Sequence, residues 1–494
     1  MIGAALGCRQ YLAQFTHNFQ RYRDAVRCSA YRRYRCSIQS DAGYVGAIAL
    51  DAVCGLAGIA RLRSGGVLAG LMIQVRQEHD PLDTILKNAR LADRPTRPAL
   101  DIGIADGRIA ALECNLRADA REIDVGGRLV TSGFVESHIH LDKSCILERC
   151  QSERGDLGEA IREVAKAKAA FTPEDVYTRG RRTLEKCILN GTTHMRTQLE
   201  VDPGIGLRGL AGLKSLIADY RWAIDIEICV FPQEGLLNNP GTDELMVEAL
   251  ENGCTIIGAA PYTDSDAAGQ IDRIFELARA FDIDIDMHLD FGHDPAALDL
   301  EQVCALTEQF GYGGRVTIGH VTKLAVVPPA RLRELGRMLA GAGVALTVLP
   351  STHLFLMGRH QDHAVMRGVT PAHVLLAEQV NCSLSTNNVL NPFTPFGDCS
   401  LLRMANLYAN ICQVGRREDM LECLRMITSR SAALMRIADY GLAVGCAADL
   451  VVLDATDPAM AVAELAQPLY AFKRGRQTFT RALPELHRPH QPPR

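Results

Sequence analysis

The chain has 494 residues, 47% hydrophobic and 22% charged, with a formal net charge of −5. That length supports a large core and more than one folding unit, and the composition is that of an ordinary soluble globular protein. The mild acidity argues against nucleic-acid binding, where a basic domain is expected, and 16 cysteines without a CxxC pair argue for reduced thiols in a cytoplasmic protein rather than a secreted disulfide scaffold.

Residues 1–71 stand apart. They carry Arg9, Arg21, Arg23, Arg27, Arg32, Arg33 and Arg35 and no lysine. The order of a signal peptide is not evident, although the arginine-rich composition also suits a transit peptide. The apolar stretch 43–60 has Asp51 at its middle and makes a poor membrane span, so no membrane partner is expected. A new register begins at Met72. Residues 1–71 are therefore read as a disordered or non-native extension, which peptides upstream of Met72 in the native protein would overturn.

From Met72 onward, short strands come first. LDIGIADGRIAALE (100–113) alternates around an Asp106-Gly107 turn, and REIDVGGRLVTSGF (121–134) repeats the manner. GLAVGCAADLVVLDA (441–455) and LYAFKRGRQTF (469–479) do so again near the other end. These short strands are expected to pair into one small β-domain built from 72–130 and 436–483, with 484–494 as a disordered tail.

Between these ends, apolar β-branched runs recur near 128–140, 193–199, 225–233, 254–261, 282–290, 314–320, 344–350 and 380–388. Amphipathic stretches of helix length separate most of them, such as SDAAGQIDRIFELARAF and PPARLRELGRMLAGAG. Alternating strands and helices imply parallel strands, and eight units imply an α/β fold of the (β/α)8 TIM-barrel type over 131–435, with a doubly wound sheet as the alternative. Trp222 is assigned to a helix and to the core.

In a barrel, chemistry sits at the C-terminal ends of the strands. His138 and His140 in FVESHIHLD are two apart on the first strand, so both face one side and suit one ion. An isolated HxH is common by chance. Here the fifth strand also ends with His288 and Asp290, the sixth with His320, and the third with FPQEG, which places Gln233 and Glu234. The second places His194, Arg196 and Gln198 on one face. A salt bridge of Arg196 with Glu200 or Asp290 is as well supported as a substrate contact. His353, just after the seventh strand, reads as a loop histidine at the pocket mouth or in solvent. Asp142 and Lys143 read as a pair or as an orienting group.

FVESHIHLDK, THMRT, FPQEG, RVTIGH and the late NPFTPFG resemble the amidohydrolase superfamily, in its cytosine deaminase-like branch, which includes hydrolases of N-isopropylammelide-type triazines. The resemblance runs from about Met72 to Phe479 and implies a distorted (β/α)8 barrel with a flanking β-sandwich. It implies one divalent ion, zinc or iron, with His138, His140 and His288 as ligands and His320 polarising the substrate or the attacking water. It gives Gln233 a hydrogen bond to a heterocycle's edge. Such an ion lowers the pKa of its water toward neutrality, so that hydroxide attacks a ring carbon bearing nitrogen. The resemblance implies a small heterocyclic substrate and association into homo-oligomers, and no nucleic-acid partner.

Two positions depart from the family. Its fifth strand reads His-x-x-Glu, and here Phe291 stands where the glutamate shuttles a proton. Alignment on NPF puts Asn387 where the family has a metal-binding aspartate, with Asn388 and Asn391 at further aspartate positions. Asparagine is neutral and is no base at pH 7. Two readings follow. In an altered hydrolase, Asp290 and His320 handle the proton, Asn387 touches the metal, and Phe291 and Asn388 line the substrate site. The alternative is an impaired relative that binds a metal or small ligand without turnover, with a metal-free barrel as a third reading.

Overall fold

The computed structural model describes the backbone of residues 32–40, 43–52 and 72–77 and all of residues 81–487. The chain divides into two compact units, Met1–Leu82 and Asp83–Arg494. In the first, strand Arg32–Ser40 pairs antiparallel with Gly43–Ala52 on one side and Met72–Gln77 on the other. Strands thus occupy 32–40 and 43–52 within the stretch read as a disordered or non-native extension, and the other residues of 1–71 lie outside the described set. Met72–Gln77 belongs to this sheet and not to the sandwich, whose first strand is Thr84–Leu91.

The second unit holds the two architectures expected from sequence. Its flanking sheet runs in the order Arg476–Thr480, Pro468–Lys473, Leu450–Leu453, Leu129–Ser132, Thr84–Leu91, Leu100–Ala105, Arg108–Glu113, with Arg121–Asp124 also on Thr84–Leu91. The hairpin 100–113 turns on Asp106 (φ 48°) and Gly107 (φ 73°), the two left-handed residues of a type I′ turn. Ile102, Ile104, Val130, Leu450, Val452 and Phe472 form this domain's own apolar core. Val451 and Leu453 point the other way into the barrel's core, so the strand is buried on both faces.

The barrel strands are Phe134–Ile139, Thr192–Glu200, Asp225–Phe231, Ile256–Ile257, Asp284–Leu289, Val316–His320, Val344–Val348 and Cys382–Leu384, each paired in parallel with the next. A parallel bridge between Ile139 and Asn387 joins the last to the first. The run at 128–140 is two strands, not one. Leu129–Ser132 stays in the flanking sheet, and the chain crosses to the barrel at Gly133, where a Cβ would lie 2.1 Å from Thr193 Oγ1. Three of the helices between strands begin on side-chain caps, with Asp156, Thr172 and Asp266 accepting from the backbone N–H groups of Glu159, Asp175 and Gly269. Pro329–Ala342 ends on Gly343 at φ 72°. Trp222 is no core residue: it follows the helix Arg208–Tyr220, is 41% exposed, and stacks on Tyr220 with Arg476 above it. Among the described residues, no helix is long and apolar enough to cross a membrane.

Candidate functional site

Parallel strands bring every C-terminal end to one side of the barrel. His138 and His140 arrive from the first strand, His288 from the fifth and His320 from the sixth, all buried. The closing bridge sets their place: His140 N donates to Asn387 O at 2.9 Å, and Asn387 N donates to His138 O at 2.9 Å. The HxH and Asn387 are thus neighbours through backbone alone.

His138 Nε2 lies 3.2 Å from His288 Nε2, which lies 3.3 Å from His140 Nε2. Ligand nitrogens set tetrahedrally at zinc-like bond lengths of about 2.0–2.1 Å are about 3.3–3.4 Å apart. His288 Nε2 faces two nitrogens and carries at most one proton, so hydrogen bonding alone leaves this contact underused. Burial, reinforced by neighbouring positive groups, pushes His140, His288 and His320 well below the usual histidine range, so they present neutral lone pairs. His138, His288 and His320 offer ligand nitrogens all within 4.8 Å of one another, and His140 joins them through His288. This donor set fits a divalent ion.

Behind His138 lies a polar stack. Gln198 Nε2 is 3.3 Å from its Nδ1 and Asp286 Oδ1 is 3.7 Å from it. That oxygen has no hydrogen-bond partner, while the Gln198 amide N–H donates to Nδ1, so the two groups together fix the orientation of the ring. Arg196 holds Asp286 in turn, donating from Nη1 to Asp286 Oδ2 at 2.9 Å and from Nε to Glu227 Oε1 at 2.6 Å. Arg196 is therefore neither a pocket-lining substrate contact nor a partner of Glu200 or Asp290. Glu227 is its in-register neighbour on the next strand, and Asp286 stands three strands away on the fifth, a position that chain spacing does not reveal.

Asn387 sits at φ 67°. Its Nδ2 donates to Thr352 Oγ1 at 3.0 Å, Thr352 Oγ1 lies 2.7 Å from Thr394 Oγ1, and Thr394 Oγ1 donates to Phe393 O at 2.8 Å. A carbonyl only accepts, so the hydroxyl chain runs one way and ends by receiving the amide N–H. The amide oxygen is left buried and without a partner at the pocket wall. Asn388 lines the same pocket, with its oxygen taken by Asn391 Nδ2 at 2.7 Å, so its NH2 is the side left for a ligand. Asn391 builds the turn instead, its oxygen accepting from Phe393 N and Thr394 N.

His320 has φ 70°, and its Nδ1 lies 3.3 Å from His353 Nε2. His353 is no solvated loop histidine: it lies on the short helix Pro350–Leu356 and is fully buried, which with nearby His138 drives it down to about 3. Phe291 meets His320 edge-on at 5.4 Å. Asp290 does not face the site. At φ 47° it leaves the strand's alternation, and its oxygens accept from Asp299 N and Leu300 N at 3.0 Å each, beside Lys323 at 3.1 Å. It caps the helix Leu300–Phe310, so it is not the proton carrier expected two residues from His288.

His140, His288, His320, Asn387 and Asn388 share the pocket with residues less easily found. Lys143 is buried there, its ammonium paired with Glu200 rather than Asp142, 3.4 Å from Gln233 Oε1 and 4.1 Å from the Phe393 ring centre. Gln233 Nε2 has no partner, and Tyr262 stands beside it, its hydroxyl pushed up by burial. The cavity has a volume of about 10 Å³, about one water, so a heterocycle enters only as lining side chains such as Leu157 and Phe393 move. Lys143 has a sequence signal, since it follows the HxH by three residues. Thr352 has none, and His353 is marked only by its place just after the seventh strand, because a helix of seven residues brings both in.

Residues 218–479 match the sequence profile described as the amidohydrolase family. The chain is 28% identical over 403 residues, 80% of its length and 96% of the relative's, to N-isopropylammelide isopropyl amidohydrolase of Pseudomonas sp. (strain ADP). It is 27% identical over 361 residues, 72% of its length and 82% of the relative's, to pterin deaminase of Rhizobium rhizogenes. The solved structure of 5-methylcytosine deaminase from Klebsiella pneumoniae liganded with phosphonocytosine superposes with a TM-score of 0.78 at 30% identity, covering 82% of this chain and 100% of that one.

Proposed function

The chain belongs to the amidohydrolase family, and from that premise we propose that it hydrolyses a non-peptide carbon–nitrogen bond of a small cyclic amidine or amide, such as an aminopyrimidine or triazine. The reading includes one divalent ion, zinc or iron, held by His138, His140 and His288, with Asn387 beside them. The observation that carries it is the convergence of three buried imidazole nitrogens at 3.2 and 3.3 Å, at the strand ends where barrels do chemistry. When bound, the ion acidifies water and polarises the ring carbon.

The chain's own groups do the rest. The free N–H of Gln233 and the NH2 of Asn388 orient the ring's acceptors, and the Lys143 ammonium favours an electron-rich oxygen. Asn387 Oδ1, left free because Thr352 takes the amide N–H, accepts a hydrogen bond from water or an amino group without becoming charged. His320 moves the proton. With its Nδ1–H donated to His353 Nε2, its Nε2 lone pair takes a proton from water and returns it to the leaving nitrogen. Phe291 excludes water at that edge.

Phe291 and Asn387 favour a second reading, a binder without turnover, because neither carries a proton. One experiment separates the two. Protein loaded with zinc or ferrous iron is assayed for ammonia or alkylamine release from cytosine, 5-methylcytosine, pterin and N-isopropylammelide, beside His138→Ala. Release that the variant lacks supports the hydrolase. Bound metal with no release across the panel supports the binder, and no metal bound by the parent chain sinks the hydrolase and leaves only a binder of small ligands.

A further inference from the structure

A groove of about 470 Å³ opens beside the short helix Pro350–Leu356, lined by Leu354, Phe355, Arg359, Arg367, Phe396 and Arg403. We propose that it is a second small-molecule site, for a planar aromatic anion such as an aromatic carboxylate. Its volume falls in the range of about 300–1,000 Å³ typical of small-ligand sites.

Two kinds of group meet there. Phe355 and Phe396 stand edge to face at 5.9 Å, and Phe396 is 58% exposed, an uncommon state for a phenylalanine. Around them are three guanidiniums. Arg403 lies 3.1 Å from Asp398. Arg359 rests on the Phe355 ring at 4.3 Å, and neither it nor Arg367 has a carboxylate partner among the described residues. A stacked ring uses the aromatic faces, and a carboxylate on that ring meets the planar fork of an unpaired arginine. A second copy of this chain seated patch to patch would oppose its own arginines to these, so charge disfavours that occupant.

The groove also shares an element with the pocket. Ser351, Leu354 and Phe355 face the groove. From the same helix, Thr352 holds Asn387, His353 abuts His320, and Leu356 lines the pocket. Three to four residues per turn send these sets to opposite faces. Occupancy therefore bears on the pocket wall, although binding stands or falls independently of the proposed hydrolysis.

The probe is isophthalate, titrated calorimetrically into the full chain, with neutral isophthalamide and non-aromatic glutarate as controls. Saturable one-to-one binding is expected, at least about tenfold weaker for either control. The double variant Arg359→Gln/Arg367→Gln and the variant Phe396→Ala each weaken it by about tenfold or more, with thermal midpoints near the parent's because these side chains are exposed. Gln233→Leu, an uncharged change in the deep pocket, leaves it unchanged. The proposal is overturned by absence of saturable binding, by undiminished binding in the double variant, or by loss in a Gln233→Leu protein whose thermal midpoint matches the parent's. A dimer in sedimentation that Phe396→Ala dissolves also overturns it, by assigning the surface to self-association.

Discussion

Replacing Arg196 by methionine tests whether this side chain is a brace or a substrate contact. Methionine keeps most of the volume and removes the charge. Asp286, with 0% of its surface exposed, then loses the one arginine or lysine paired with it among the described residues, while Glu227, with a side chain 26% exposed, recovers some hydration. Removing one partner of a buried pair costs about 3–5 kcal/mol, because the other charge is left uncompensated. Asp286 supplies most of that loss here. Adding Asp286→Asn removes the orphaned charge, so the double variant should recover about 2 kcal/mol of it. The same double variant loses the carboxylate behind His138, and metal affinity should fall about 10- to 100-fold. Urea unfolding followed by circular dichroism gives the stabilities, and chelator competition gives the affinity. A single-variant loss under about 1 kcal/mol, or a double variant no more stable than the single, would refute the brace.

Three further outcomes are expected. Asp290→Ala should lose about 1–2 kcal/mol of stability through the uncapped helix Leu300–Phe310, with turnover per loaded site unchanged; a hundredfold fall in kcat would return Asp290 to the chemistry. Asn387→Asp forces Thr352 to reverse its hydroxyl, so the metal-free protein should lose about 1–3 kcal/mol while metal binds about tenfold tighter, and joined to Phe291→Glu it should raise turnover on an aminopyrimidine; unchanged affinity by chelator competition argues against Asn387 as a ligand position. His353 has a folded pKa of about 3 against an ordinary 6.5, so the unfolded chain alone binds its proton between those values. The stability it supports is complete above pH 6.5 and lost as pH falls toward 3, at up to about 1.4 kcal/mol per pH unit. His353→Asn should flatten the acid limb of a stability–pH curve by one proton, and an unaltered slope from pH 6.5 to 4.5 contradicts the burial argument.

The barrel was legible because its signals are local. Apolar runs of strand length, amphipathic stretches between them and the Asp106-Gly107 turn all depend on neighbours in the chain. The HxH spacing and the strand-end positions of His288 and His320 were legible for the same reason: strand alternation sets the facing of residues two apart. Tertiary structure decided what lies beyond a strand's last regular residue. The left-handed backbone at Asp290 turns a carboxylate away from the site to cap a helix, and those at His320 and Asn387 sit where their strands end in the pocket. Arg196 finds Asp286 across the barrel, Thr352 orients the Asn387 amide, and His353 backs His320 from a helix with no pattern to announce it. Sequence alone specified which residues end the strands, since local periodicity is written in composition. Only the folded chain specified which way those side chains turn and what each one touches, since the sign of one φ angle and a partner scores of residues away leave no mark on their neighbours.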